Sequence, residues 1–145
     1  MNGYDQDFYE WTKENARLLR EGKFSEVDID NLIEELEAMG RSEKRAFLNH
    51  LAVLIAHLLK WERQAALRST SRKYTILEQR QQVADILDDN PSFKHSLDEM
   101  LPKAYGKAII RFVKETGLDG ATLPRFCPYE FDQIMDTRFF PEENV

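Results

Sequence analysis

The chain has 145 residues, 20 Lys and Arg against 26 Asp and Glu, a net charge of −6 and 42% hydrophobic residues. At this length roughly 70% of the unfolded surface can be buried, so one core forms without metals or disulfides and a disordered chain is excluded. The longest apolar run is Leu51 to Ala56, far short of the roughly 20 residues that span a bilayer, and the acidic start MNGYDQD lacks a signal-peptide apolar region. The expectation is a soluble, cytoplasmic protein with no membrane association, folded as a single domain over residues 4–141 with short tails at 1–3 and 142–145. Its one cysteine, Cys127, has no partner for a disulfide or a CxxC pair, which suits a reducing compartment.

Six glycines and five prolines punctuate the chain, and apolar residues between them recur at three- and four-residue intervals. The pattern predicts an all-α bundle of about five main helices and a short C-terminal one. The first runs from about Asp5 to Arg20 with Phe8, Trp11 and Leu18 on one face and Gly22 just past its end. A second carries the stripe Ile29, Leu32, Ile33, Leu36 and Met39, with Asp28 placed to cap it and Gly40 placed to end it in the left-handed conformation. Ser42 is then expected to cap a third, central helix reaching to about Leu67, with Phe47, Leu51, Leu54, Ile55 and Leu58 facing the core.

A fourth helix carries Ile76, Val83 and Leu87 and ends before Asn90-Pro91, because the residue before a proline resists the helical region. The fifth places Leu97, Leu101, Tyr105, Ile109 and Phe112 on one face, kinks or restarts at Pro102 and stops at Gly117. The last follows Cys127-Pro128 with proline at its first position. The FFPEENV end is either docked or frayed.

Charge is segregated. Residues 1–40 carry −7, residues 41–82 carry +6 and residues 83–145 carry −5. In the basic middle, Lys60, Arg63, Arg68, Arg72, Lys73 and Arg80 interleave with Trp61 and Tyr74, a mixture suited to gripping a phosphate backbone and stacking on bases. An acidic helix packed beside a basic one accounts for the same counts, and the net negative charge repels nucleic acid at long range.

His50 and His57 lie on one side of the third helix but about 10.5 Å apart along its axis, too far to hold one ion, so no metal is expected. No nucleophile motif, phosphate-binding glycine loop or calcium loop is present, and no cofactor is expected. His57, Lys60, Trp61, Gln64 and Arg68 fall within about 80° of arc beside the apolar stripe and form a polar ledge. Arg80 lies within the Ile76, Val83 and Leu87 stripe, where an unpaired charge is costly, so it is expected to be buried against a carboxylate, Glu35 or Glu37. That pairing serves either to fix helix register or to build a polar pocket of Glu35, His57, Gln64 and Arg80 able to move a proton.

The segments YDQDFYEW (4–11), LIEELEAMG (32–40), HLLKW (57–61), TILEQR (75–80), NPS (90–92), ETGL (115–118) and CP (127–128) occur in this order along the chain. In them the chain resembles the domain of unknown function 29 family over about residues 4–141. The resemblance implies a small, all-helical bacterial protein, of a kind found mainly in cyanobacteria, with no assigned activity, substrate or cofactor. Its shared pattern includes Lys60, Trp61 and Arg80, and this chain departs from it at Arg72, where many members have tryptophan. The expected function is a non-enzymatic module that binds a protein partner or its own copy. Nucleic-acid or phosphate binding through 60–80 is the alternative, and an enzyme built around Glu35, His57 and Arg80 is third. An exposed apolar patch would favour the first, a continuous positive face the second and a closed polar cleft the third.

Overall fold

The computed structural model describes residues 3–142, so the expected tails lie mostly outside the described residues. Among these residues there are six α-helices and no strand, which makes the fold all-α. The helices are α1 (Gly3–Gln6), α2 (Phe8–Arg20), α3 (Ile29–Arg63), α4 (Thr70–Asp89), α5 (Leu97–Thr116) and α6 (Phe131–Met135). Two compact units divide the chain, one up to Ser42 and one from Glu43, and the division falls inside α3.

In the first unit, Asp7 interrupts the helix expected from Asp5: its Oδ1 accepts the Glu10 N–H at 3.0 Å and caps α2. Gly22, at φ +74°, turns the chain after α2, a conformation that glycine takes without steric penalty. Polar bonds then pin α2 to the start of α3. Trp11 Nε1 donates to Asp28 Oδ2 at 2.9 Å, and Asn15 Oδ1 accepts the Asp28 N–H at 2.8 Å. Asn31 also donates to Asp28, and the Asn31 and Trp11 bonds together hold its carboxyl below the ordinary range. Nearer the start, the Tyr4 hydroxyl donates to Glu35, and the rings of Tyr4, Phe8 and Trp11 cluster with centroids 4.9 to 5.7 Å apart. The partners run in opposite order along the two arms, Tyr4 of α1 with Glu35 of α3 and Asn15 of α2 with Asp28 just before α3, so the unit is an antiparallel hairpin.

The expected break at Gly40 does not occur. Helix α3 continues through Gly40 and Ser42 as one element of 35 residues, and Gly40 is not in the left-handed region. A helical glycine costs about 1 kcal/mol relative to alanine, and the flanking Glu, Leu, Ala, Met, Lys and Arg residues favour the helix strongly enough to carry it across.

The second unit holds the core expected from the sequence. Phe47, Leu51, Leu54, Ile55 and Leu58 of α3 are fully buried with Ile76 and Val83 of α4, Met100, Ala104 and Phe112 of α5, and Ile134 of α6. Helix α4 ends at Asp89 as expected. A 3-10 turn over Pro91–Ser96 follows, and α5 starts at Leu97 and runs unbroken through Pro102. Pro102 lies in the second turn, where the missing N–H removes one helical bond near the helix start. Gly117, at φ +73°, ends α5 as expected, its N–H bonded to Val113 O at 2.8 Å. The last helix begins later than expected, at Phe131 rather than at Pro128, and Gln133 Oε1 accepts the Glu130 N–H at 3.0 Å. Beyond it, Phe139, Phe140 and Pro141 are docked rather than frayed.

Candidate functional site

Three places gather candidate functional side chains. The first is the ledge on the last turns of α3. Trp61 packs its ring on Phe140, centroid to centroid 5.0 Å, and Arg68 lies over Trp61 at 5.3 Å while donating through Nε to the Trp61 carbonyl at 2.8 Å and through Nη2 to Pro141 O at 3.4 Å. Gln64 accepts from Arg72 Nη1 at 3.1 Å, and Lys73 stands 5.8 Å from the Phe140 ring centroid. Arg80 is 2% exposed, so its expected burial holds. Its partners differ from those expected. Nε donates to Ile134 O and Nη2 to Phe139 O, each at 2.6 Å, and the guanidinium lies 5.2 Å from the Phe140 centroid. Burial pushes the guanidinium pKa down, with Asp136 acting against it. Two backbone carbonyls thus take the place of the expected carboxylate: a carbonyl satisfies an N–H without requiring a second buried charge. Glu35 accepts instead from Tyr4, and Glu37 is exposed 4.0 Å from Arg41.

The structure therefore brings Trp61, Arg68 and Arg80 together around one strap, residues 134–141, while Gln64 is bonded to Arg72 rather than to the strap. Lys60 leaves this group: it is buried and donates to Glu115, whose other oxygen takes Arg111 Nη1 at 3.1 Å. Burial acts to raise the Glu115 pKa, but the bonds from Lys60 and Arg111 outweigh it and the carboxyl is lowered. His57, half-buried on the same helix, is pushed down to about 4, chiefly by burial and next by the Lys60 charge. It is neutral at pH 7.

The second place is a groove of about 540 Å³ lined by Leu97, Leu101, Tyr105, Phe126, Cys127 and Phe131. Burial raises the Cys127 thiol pKa, which works against a reactive thiolate, and its sulfur lies 3.4 Å from Tyr129 O. Nearby, Tyr129 donates to the buried Glu62, a pair that no spacing in the sequence indicates.

The third place is the outward face of the first unit. Phe8, Leu19, Ile29, Ile33, Leu36 and Met39 are all exposed, Leu36 and Met39 by 59% and 62%. A groove of about 430 Å³ runs between α2 and the first turns of α3, lined by Phe8, Trp11, Leu19, Leu32, Leu36 and Met39. Periodicity marks Ile29, Leu32, Ile33, Leu36 and Met39 as a core stripe, because a helix buried against its own chain and one that presents a surface share the same pattern. Only the fold separates the two.

No helix is long and apolar enough to cross a membrane, and no group of three or more His, Cys, Asp or Glu is gathered as for a metal ion, both among the described residues. No curated protein and no solved structure matches the chain. The family model described as Domain of unknown function DUF29 matches residues 3–140, nearly the whole chain, a span that includes Trp61, Arg80 and most of the strap. The chain belongs to the DUF29 family.

Proposed function

We propose that the protein is a non-enzymatic interaction module whose working surface is the apolar face of the first unit. One observation carries this reading: six large apolar side chains, from Phe8 to Met39, stand exposed together on two adjacent helices. Isolated exposed apolar residues are ordinary, but Phe8, Leu19, Leu36 and Met39 line one groove, and an apolar groove of this kind marks a surface made to be covered. The polar pins at Trp11, Asn15 and Asp28 hold the two helices in place, so the face is presented preformed.

Phosphate or nucleic-acid binding through residues 60–80 is the second reading. It is supported by Arg68, Arg72, Lys73 and Arg80, which have no carboxylate in ion-pair range among the described residues. It ranks lower because Trp61 is already packed on Phe140 and Arg68 and Arg80 already hold the strap.

Replacing Leu36 by a photo-crosslinking phenylalanine in cells that make the full chain tests the first reading. Adducts are expected at Leu36 and not at Gln82, an exposed position on α4. Equal yields at the two positions, or none at Leu36, would reject it.

A further inference from the structure

The interaction reading leaves the occupant of the face unnamed, and the charges at its edges name one. We infer that the face is covered by a second copy of this chain, with α2 of each copy lying along α3 of the other. This inference rests on the interaction reading and specifies its partner.

At 100° per residue, the outward side of α2 passes from Phe8 and Leu19 through Thr12 and Ala16 to an outer edge holding Arg20 and Lys13. The outward side of α3 passes from Met39 and Leu36 through Ile29 and Ile33 to an outer edge holding Glu37, Asp30 and Glu34. Lys13 also meets Glu10 at 3.3 Å, and Arg41 stands among the acids, 4.0 Å from Glu37, but both pairs are exposed and contribute little. One apolar face is therefore bounded by a basic edge on one helix and an acidic edge on the other.

Two kinds of two-fold axis lay such a face on its own copy. An axis across the helices sets α2 on α2 and places like charges together. An axis along the helices sets α2 on the other copy's α3, so each basic edge meets an acidic one. Because α2 and α3 are antiparallel within a copy, either arrangement makes every neighbouring pair antiparallel, the geometry of a four-helix bundle with Phe8, Leu19, Leu36 and Met39 inside, and the charged edges select the second. A foreign helix pair would have to supply the same apolar width and the same two edges in the same order. A second copy has them necessarily. The charge of −7 over residues 1–40 opposes the approach at long range, but with screening over about 8 Å at physiological salt the edges decide the register.

The test is light scattering on the full chain after size exclusion, with two charge-reversed proteins. One carries Lys13→Glu and Arg20→Glu, the other Glu34→Lys and Glu37→Lys. The wild type is expected at twice its 17.0 kDa mass in the micromolar range. Each reversed protein sets like edges together and is expected to dimerise at least about tenfold more weakly. Mixed in equal amounts, the two are expected to form a mixed dimer, since each then meets an opposite edge on both sides. A wild type that remains monomeric at roughly 100 µM overturns the inference, and Leu36 adducts of another mass in the same cells would leave the interaction reading standing with a different partner. A wild-type dimer that neither reversal weakens, or reversed proteins that do not rescue each other, overturns it as well.

Discussion

Arg80 shows how a residue type can be read correctly and its partner misread. Its place among Ile76, Val83 and Leu87 identifies a buried cation, and burial of a cation calls for acceptors. Sequence spacing offers carboxylates on helices as candidates, whereas carbonyls freed at the end of a short helix and in a turn have no signature. Ile134 O and Phe139 O are of that kind. Arg80→Ala strands the buried Ile134 carbonyl and the half-buried Phe139 carbonyl and is expected to lower stability by about 2–4 kcal/mol, against less than about 0.5 for Arg138→Ala at an exposed position. Urea denaturation of both variants measures this, and equal midpoints would show that the strap is not held by Arg80. His57 adds a pH dependence. Its pKa lies near 4 in the folded chain and near 6.5 in the unfolded chain, so the unfolded state takes up the proton first. The full contribution of neutral His57 is therefore present above pH 6.5 and is lost as pH falls from there towards 4. Denaturation at pH 7 and pH 5 is expected to show a loss of stability in the wild type that is smaller in His57→Gln. An equal loss in both proteins would count against the burial of this ring.

At the scale of the element, stop signals are less reliable than stripes. Gly22 and Gly117 terminate helices and have positive φ, while Gly40, in an equally plausible place after Met39, does not. The downstream residues make the difference. Irregular segments built around 3-10 turns come after Gly22 and Gly117, whereas Arg41, Glu43, Lys44, Arg45 and Ala46 come after Gly40, each a good helix former apart from the intervening Ser42. Nothing lies within 4 Å of a side chain added at Gly40. Gly40→Ala is accordingly expected to stabilise the protein by about 0.5–1 kcal/mol, and Gly117→Ala, at φ +73°, to destabilise it by a similar amount or more. Thermal melts of the two variants moving in the same direction would contradict the continuity of α3. A left-handed Gly40 would have predicted two losses.

At the scale of the whole molecule, the helical class and the second unit's core are legible in the sequence, because Phe47 to Leu58, Ile76, Val83 and Phe112 repeat at 3.6 residues and all face inward. The candidate site is only half legible. Trp61, Arg68 and Arg80 do share a place, but what gathers them is a strap formed by residues more than 50 positions later than Arg80, and no local spacing encodes that meeting. Glu35 and Glu37 belong with the first unit's surface, and the stripe beside them has the pattern of a core because periodicity reports which face is apolar and says nothing of what covers it. The strap also has a consequence for synthesis. The acceptors of Arg80 follow it by 54 and 59 residues, so a ribosome adding about 5–20 residues per second leaves this guanidinium without them for roughly 3–12 s. Through that interval the guanidinium keeps its water, and α4 can close its stripe on the core only by giving up that water before the native acceptors are present. The second unit is thus timed to lock only after residues 134 to 139 have emerged, and the nascent chain before that point is the form in which chaperones would meet it.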